Sequence, residues 1–456
     1  MSAGRFLLRA AAVALAACVA SGCGPTRAAD ADAAKPGPVE IDLMRFFGSC
    51  DATYGNNTDP RAAVGECGIL TSLVNEFNAQ NKGRIVVRTQ IGEWGPYYDQ
   101  LNARLVASDV PAVAVMHESM LGDYVRRKLV EPLDADFAQV GIDTNDFTAH
   151  AHRGVTFAGK TYALPFDTWS WLWHFDMGLM KKAGLVTAEG KPVLPHSPDE
   201  LLAQARQFRK ATGKPYFAWA AANEPSANTR TFLTLVYQQN GKVFADDGRA
   251  INLHTPEVEK ALDLMQALYD EGDVKPGQDY ASSNQSYLNG DVGVLIVGTW
   301  TIAQFMSEAK KPDSPLHAGY YVTPFPTLYA RPAIFADGHS WVLMKGGTPD
   351  ARSRAAALQL MKFLYDHDGD WARTGHLTTR KSVAESADFK ALPFRAELAE
   401  ITSTGVSIPN NVGTQRAVEN LIGEDIGNIV VSHKPRAKAL ADIEKRVNAQ
   451  LRRGHH

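Results

Sequence analysis

The sequence is short of several things that would decide its class at once. Four cysteines in 456 residues are too few for a disulfide-dense scaffold or a zinc module with many thiolates. Charge of neither sign dominates: the formal net charge is −3, and without a basic stretch a nucleic-acid role has no electrostatic footprint. No apolar run reaches the ~20 residues of a membrane-spanning helix, and no repeat with a period of roughly 20–50 residues is visible. Catalytic motifs begin but are not completed. His117-Glu118 is followed by Leu121 where a zinc-protease helix needs its second His. Gly338-His339-Ser340 lacks the surrounding nucleophile elbow, and Asp366–Asp370 lacks the closing Glu of a calcium loop. No metal and no cofactor is therefore expected.

What is present fits a globular chain: 45% hydrophobic and 21% charged residues, with a length that favours two domains over one core. Arg5 and Arg9 precede a short apolar stretch, Ala10–Ala20, which reads as a secretory signal peptide over residues 1–22. Ala20-Ser21-Gly22-Cys23 looks like a bacterial lipobox with Cys23 as the lipidated residue; ordinary cleavage after Ala28 is the alternative. Residues 23–38, rich in Ala, Pro, Gly and Asp, suit a flexible tether, which with an acyl chain would hold the body near a membrane. Cys18 and Cys23 belong to export. The remaining pair, Cys50 and Cys67, reads as one disulfide in an exported chain, since no His lies between them to complete a metal site.

Beyond the tether, strand and helix patterns alternate. Strands are expected over 39–47, 84–91 and 112–116, and helices over 69–78 and 98–106, an α/β arrangement with a mainly parallel sheet. Ser197-Pro198-Asp199-Glu200, Thr255-Pro256-Glu257 and Thr348-Pro349-Asp350 each announce a helix start. A last helix is expected over 436–452. Trp169, Trp171, Trp173 and Phe175 recur at every second position, so a strand would put four rings on one face. Core packing accounts for Trp171 and Trp173, as for Trp341.

Several segments together resemble the bacterial extracellular solute-binding proteins of carbohydrate ABC importers, the family that contains maltose-binding protein. Tyr162–Asp167 leading to His174-Phe175-Asp176 and Leu179–Leu185 is similar to the family's "Y-x-x-P … YN … lfkkAGl" run, with Asp176 in place of Asn. Pro195–Leu202 is similar to its "P-x-T-w-d-E-l" helix entry, and Asn289-Gly290 followed by Gly298-Thr299-Trp300 to its "G … G-x-W" segment. Weaker similarities run from Tyr124 to Asp134, over Val322–Pro326, and from Trp371 to Ser382, where Thr378 replaces a usual Pro.

The resemblance implies a two-lobed periplasmic-binding-protein-like fold of type II, with a hinge and a ligand cleft between the lobes. Lobe one would take 39–166 plus 324–369, and lobe two 167–323 plus 370–456. It also implies a carbohydrate ligand captured by hinge closure, delivery to ABC permease transmembrane subunits, action as a monomer without catalysis, and residence in the periplasm or at the cell surface. A sugar needs flat aromatic surface and hydrogen-bonding side chains, and parallel α/β sheets gather ligands at the loops after their strands. Those loops carry Asp51, Trp94, His117, Glu118, Asp167, Trp169, Gly338 and His339. Resemblance adds Glu224, in a "Glu-Pro" loop (Asn223-Glu224-Pro225), and Trp300 as a stacking ring. Two other classes stay open. One is a secreted carbohydrate-active enzyme using Asp167 with Glu118 or Glu224, since such hydrolysis needs two carboxylates ~5–10 Å apart. The other is a binder of a polyol, glycerol phosphate or polyamine on the same fold.

Overall fold

The computed structural model describes residues 37–222 and 224–453. Cys23, the signal segment, the tether up to Pro36, Asn223 and the terminal histidines lie outside the described residues. From Pro38 onward the chain forms one compact unit.

One strand governs the architecture. Leu164–Asp176 is 13 residues long and buried throughout. Over Leu164–Ser170 it pairs antiparallel with Ile334–Leu343. Over Trp171–Asp176 it pairs antiparallel with Val294–Gly298 and Tyr320–Pro324. The alternating Trp/Phe run is thus the strand its period-2 pattern predicts, and its burial on both faces explains why no exposed polar residue interrupts it.

Beyond Ile334–Leu343 stand Val113–His117, Val39–Arg45 and Ile85–Ile91, the last three mutually parallel. On the other side, Phe217–Trp219 runs parallel to Val294–Gly298. Apolar side chains collect in two large cores. Leu43, Leu73, Val115, Phe137, Trp341 and Leu360 belong to the first; Trp173, Phe208, Leu233, Met265, Ile422 and Ile443 belong to the second. Phe325, Leu328 and Ile334–Ala336 pack into the second core, whereas Trp371 packs into the first. The change of core therefore falls inside the Ile334–Leu343 strand, later than residue 324, because that strand only meets the first parallel group from His339 onward.

Helix starts follow their caps. Ser197 accepts from the N–H of Glu200 and Thr255 from that of Val258, opening Pro198–Thr212 and Pro256–Asp270. The third signal is displaced. Asp350, not Thr348, is the cap of Ala351–Asp366, because Asp350 and Ser353 form a reciprocal capping box. The last helix spans Arg436–Arg453 and buries Ala439, Leu440, Ile443, Val447 and Leu451, the stripe its periodicity predicts.

Candidate functional site

A cavity of about 440 Å³ lies where the two strand groups meet the ends of several helices. One wall comes from Phe46, Phe47 and Gly48 after the first strand, Gly92–Gly95 after the second, and His117 at the end of the third. A further part of the lining comes from Glu224–Ser226, Arg230, Tyr280, Trp300, Arg416, Glu419 and Asn420. Trp169, His339 and Glu66 complete the lining.

The first loop is held in an unusual backbone shape. Phe47 and Gly48 both have positive φ, 77° and 74°, a costly conformation for Phe. Arg45 pins it: the buried guanidinium donates to the carbonyls of Phe46 and Gly48 at 3.0 and 2.9 Å and to Thr71 Oγ1 at 3.2 Å. Burial lowers the Arg45 pKa to about 10, with Asp51 opposing the shift. Cys50 and Cys67 form a disulfide that ties this loop to the helix Gly65–Gln80, which carries Glu66.

Aromatic rings dominate the walls. Trp94 meets Phe46 edge-on at 5.2 Å and lies 4.6 Å from His117. Trp169 meets Trp300 edge-on at 5.6 Å, and Trp300 Nε1 donates to the Tyr280 hydroxyl at 2.9 Å. Charged groups lie on these rings. Arg416 sits 4.8 Å above Trp94, and Arg230 sits 4.8 Å above Trp169. Arg230 also pairs with Glu419 at 2.7 Å. Burial raises the Glu224 carboxyl above its ordinary range, against the pull of Arg230 and Arg416.

Behind the lining stands a buried polar chain. Asp167 accepts from Nδ1 of His339 at 2.9 Å, from the His339 N–H at 3.1 Å and from Trp371 Nε1 at 2.8 Å. His376 lies 3.9 Å from Asp167; its Nδ1 is 3.0 Å from Thr299 Oγ1 and its Nε2 2.7 Å from Glu66. Burial alone would raise Asp167, yet His339 and His376 outweigh it and hold the carboxyl low. For His376, burial is outweighed by Asp167 and Glu66, which raise it. Asp167, His339 and His376 offer metal-type donor atoms within 4.8 Å of one another, and each of the three is already engaged in the contacts just given.

Of the ten residues singled out by sequence, Trp94, His117, Trp169, Glu224, Trp300 and His339 line this cavity. The other four do not. Asp51 begins a short exposed helix and is 3.3 Å from Ser49 Oγ. Asp167 is fully buried behind His339. Gly338 packs against the strand beside it, where a Cβ would come within 2.5 Å of the Asp167 carbonyl. Glu118 turns the other way from its neighbour His117, into a second cavity of about 400 Å³ shared with His150, Asp337 and Gln415. Its Oε1 has no partner among the described residues, and burial, with Asp337 and Asp167 nearby, holds its carboxyl well above the usual range. No carboxylate pair across one bound sugar emerges from Asp167 and Glu118, because neither reaches the main cavity. Phe46, Phe47, Glu66, Arg230, Tyr280, Arg416 and Glu419 are additions that the structure makes.

Two α/β cores joined by crossing strands, with an aromatic cavity at the crossing, define a two-lobed periplasmic-binding-protein-like fold. The chain belongs to the bacterial extracellular solute-binding proteins, whose family model matches residues 72–397. Comparison with curated proteins gives no match. Among solved structures, maltose-bound MalE3 of T. maritima is 20% identical, with a TM-score of 0.73 over 90% of this chain and 100% of that one. The sugar-binding protein MalE of Xanthomonas citri is 17% identical, with a TM-score of 0.72 over 91% and 98%. A solute-binding protein of Agrobacterium radiobacter in complex with ribitol is 17% identical, with a TM-score of 0.70 over 91% and 100%.

Proposed function

We propose that this protein captures a carbohydrate, from a monosaccharide to an oligosaccharide, and hands it unaltered to an ABC permease. One observation carries the reading: a cavity of about 440 Å³ whose lining alternates Trp94, Trp169, Trp300 and Tyr280 with Glu224, Arg416, His117 and His339. Flat rings suit the C–H faces of a sugar, while the acids, guanidinium and imidazoles suit its hydroxyl rim. The maltose-bound and sugar-binding neighbours agree with it. Hinge closure between the lobes, placed at residues 39–166 with the segment from about 340 to 371 against the rest, would dry the site around the ligand. Cys23 would carry a lipid anchor, leaving a monomeric binding body at the outer surface or in the periplasm.

A ribitol-bound neighbour gives a polyol the second place. A thermal-shift screen of mono- and disaccharides against polyols tests both, because a ligand specific to the folded state raises apparent stability by mass action. A shift with polyols alone would replace the sugar reading. Products released from a labelled oligosaccharide would replace capture with catalysis.

A further inference from the structure

Two imidazoles meet in the cavity wall. The rings of His117 and His339 have centroids 4.5 Å apart and planes at 77°, and both residues line the cavity. Each is fixed from behind, by partners of opposite character.

Behind His117 stands Tyr98. Its hydroxyl oxygen accepts from the His117 backbone N–H at 2.9 Å and lies 2.9 Å from His117 Nδ1. Burial raises the phenol above its ordinary value, so the hydroxyl keeps its proton. Among the described residues that proton has one acceptor in hydrogen-bond reach, Nδ1 of His117. An Nδ1 that accepts carries no hydrogen, and the neutral ring then carries it on Nε2. Burial keeps the His117 ring neutral by lowering its pKa well below the ordinary value, and His339 and Arg230 add to the effect.

Behind His339 stands Asp167, a carboxylate that can only accept. Both of its oxygens lie 2.9 Å from Nδ1 of His339. Nδ1 of His339 must donate, and wherever that ring carries a single proton its Nε2 is left bare. Neither Nε2 has a hydrogen-bond partner among the described residues, and both residues line the cavity.

We propose that His117 and His339 are locked in opposite tautomers and present to the cavity a donor–acceptor couple, Nε2–H beside bare Nε2, that selects a ligand hydroxyl. A hydroxyl can accept from the first ring and donate to the second, whereas an ether oxygen only accepts and an ammonium only donates. Tyr98 and Asp167 are positioning residues. The identity of the captured group rests on the carbohydrate reading; the tautomers do not.

The test is long-range proton–nitrogen NMR of the full chain labelled at its imidazole nitrogens, at pH 8 and without ligand. The two rings are assigned by loss of their signals in His117→Gln and His339→Gln. The expected result is a protonated Nε2 in His117 and a protonated Nδ1 in His339. The same tautomer in both rings overturns the proposal, and so does an averaged pattern in either. Tyr98→Phe should release His117 into a mixture while leaving His339 locked, and Asp167→Asn should do the reverse. Independence of the two rings from these partners overturns the positioning roles. Maltose, added as the probe, should then move both Nε2 signals and leave the Nδ1 signals in place. Movement confined to Nδ1 overturns hydroxyl capture. If the tautomers are as assigned and no sugar in the thermal screen shifts stability, the carbohydrate reading fails by itself. If a sugar binds while both rings share a tautomer, the couple fails by itself.

Discussion

The six-membered ring of Trp300 covers Gly298, so closely that a Cβ on that glycine would stand 2.0 Å from the indole. Gly298 has φ −85°, a value open to any residue, so the glycine serves the ring and not the backbone. The Val294–Gly298 strand ends there, the chain turns through Thr299–Thr301, and the indole is laid back across the strand end into the cavity wall.

Trp300→Ala should therefore cost binding and little else. The ring touches Trp169 and reaches Tyr280 through Nε1, but it is only partly buried. Loss of a stacking surface of this kind should weaken capture of a sugar that binds the native protein by more than about tenfold, as read by calorimetry. Unchanged affinity would take Trp300 out of the site.

Gly298→Ala separates the ring's position from its presence. The new methyl group must displace the indole, since the clash is with a side chain and the backbone itself is unstrained. Affinity should fall as in Trp300→Ala while the circular dichroism of the folded protein stays native. A variant that binds as tightly as the native protein would show that the indole position is unimportant.

The architecture was largely open to sequence reading because its signals are local. A period of two in Trp169–Phe175 marks the long strand, and Ser197 and Thr255 mark helix starts by a single hydrogen bond each. The pairing of Cys50 with Cys67 is legible because, with Cys18 and Cys23 read as part of an export segment, only these two cysteines are left to pair. Site geometry is less local. His117 and Glu118 are adjacent, yet the strand ends between them and the side chains enter different cavities. Asp167 lies in the right segment but points at the back of His339. Arg416 and Glu419 come from a helix some three hundred residues beyond His117 in the chain, and no pattern in their own helix distinguishes them from solvated charges. Only tertiary structure brings Arg416 over Trp94.

The Cys50–Cys67 bridge should matter for both stability and binding. It closes a separation of 17 residues, for which the chain-entropy model gives about 3 kcal/mol. Paired Cys50→Ser and Cys67→Ser substitutions should lower unfolding free energy by that order in denaturant titrations. Because Gly48 and Glu66 line the cavity on either side of the bridge, affinity for any sugar that the native protein binds should fall as well. Thiol titration of the unreduced, unfolded protein should find neither residue free; two reactive thiols at these positions would sink the prediction.

His174 should set part of the acid sensitivity. It is fully buried in the long strand, stacked on Tyr320 with Nδ1 2.8 Å from the Tyr320 hydroxyl, and burial lowers its pKa to about 3. In the unfolded chain a histidine titrates near 6.5. Between those two values the unfolded state binds a proton that the native state refuses, so this contribution to stability is complete above about pH 6.5 and is lost progressively as pH falls toward 3. His150, lowered to about 4, acts in the same direction. Asp337 and Asp368, raised by burial to about 6 and about 7, act against it, because a raised carboxyl loses stability as pH rises through the same window. Comparison with His174→Gln isolates the one term, since the carboxyls are common to both proteins. The native protein should lose on the order of 1 kcal/mol more per pH unit than the variant once the unfolded histidine is fully protonated. Denaturant titrations at pH 7, 5.5 and 4.5 measure the difference, and parallel acid limbs for the two proteins would show that His174 is not held neutral in the fold.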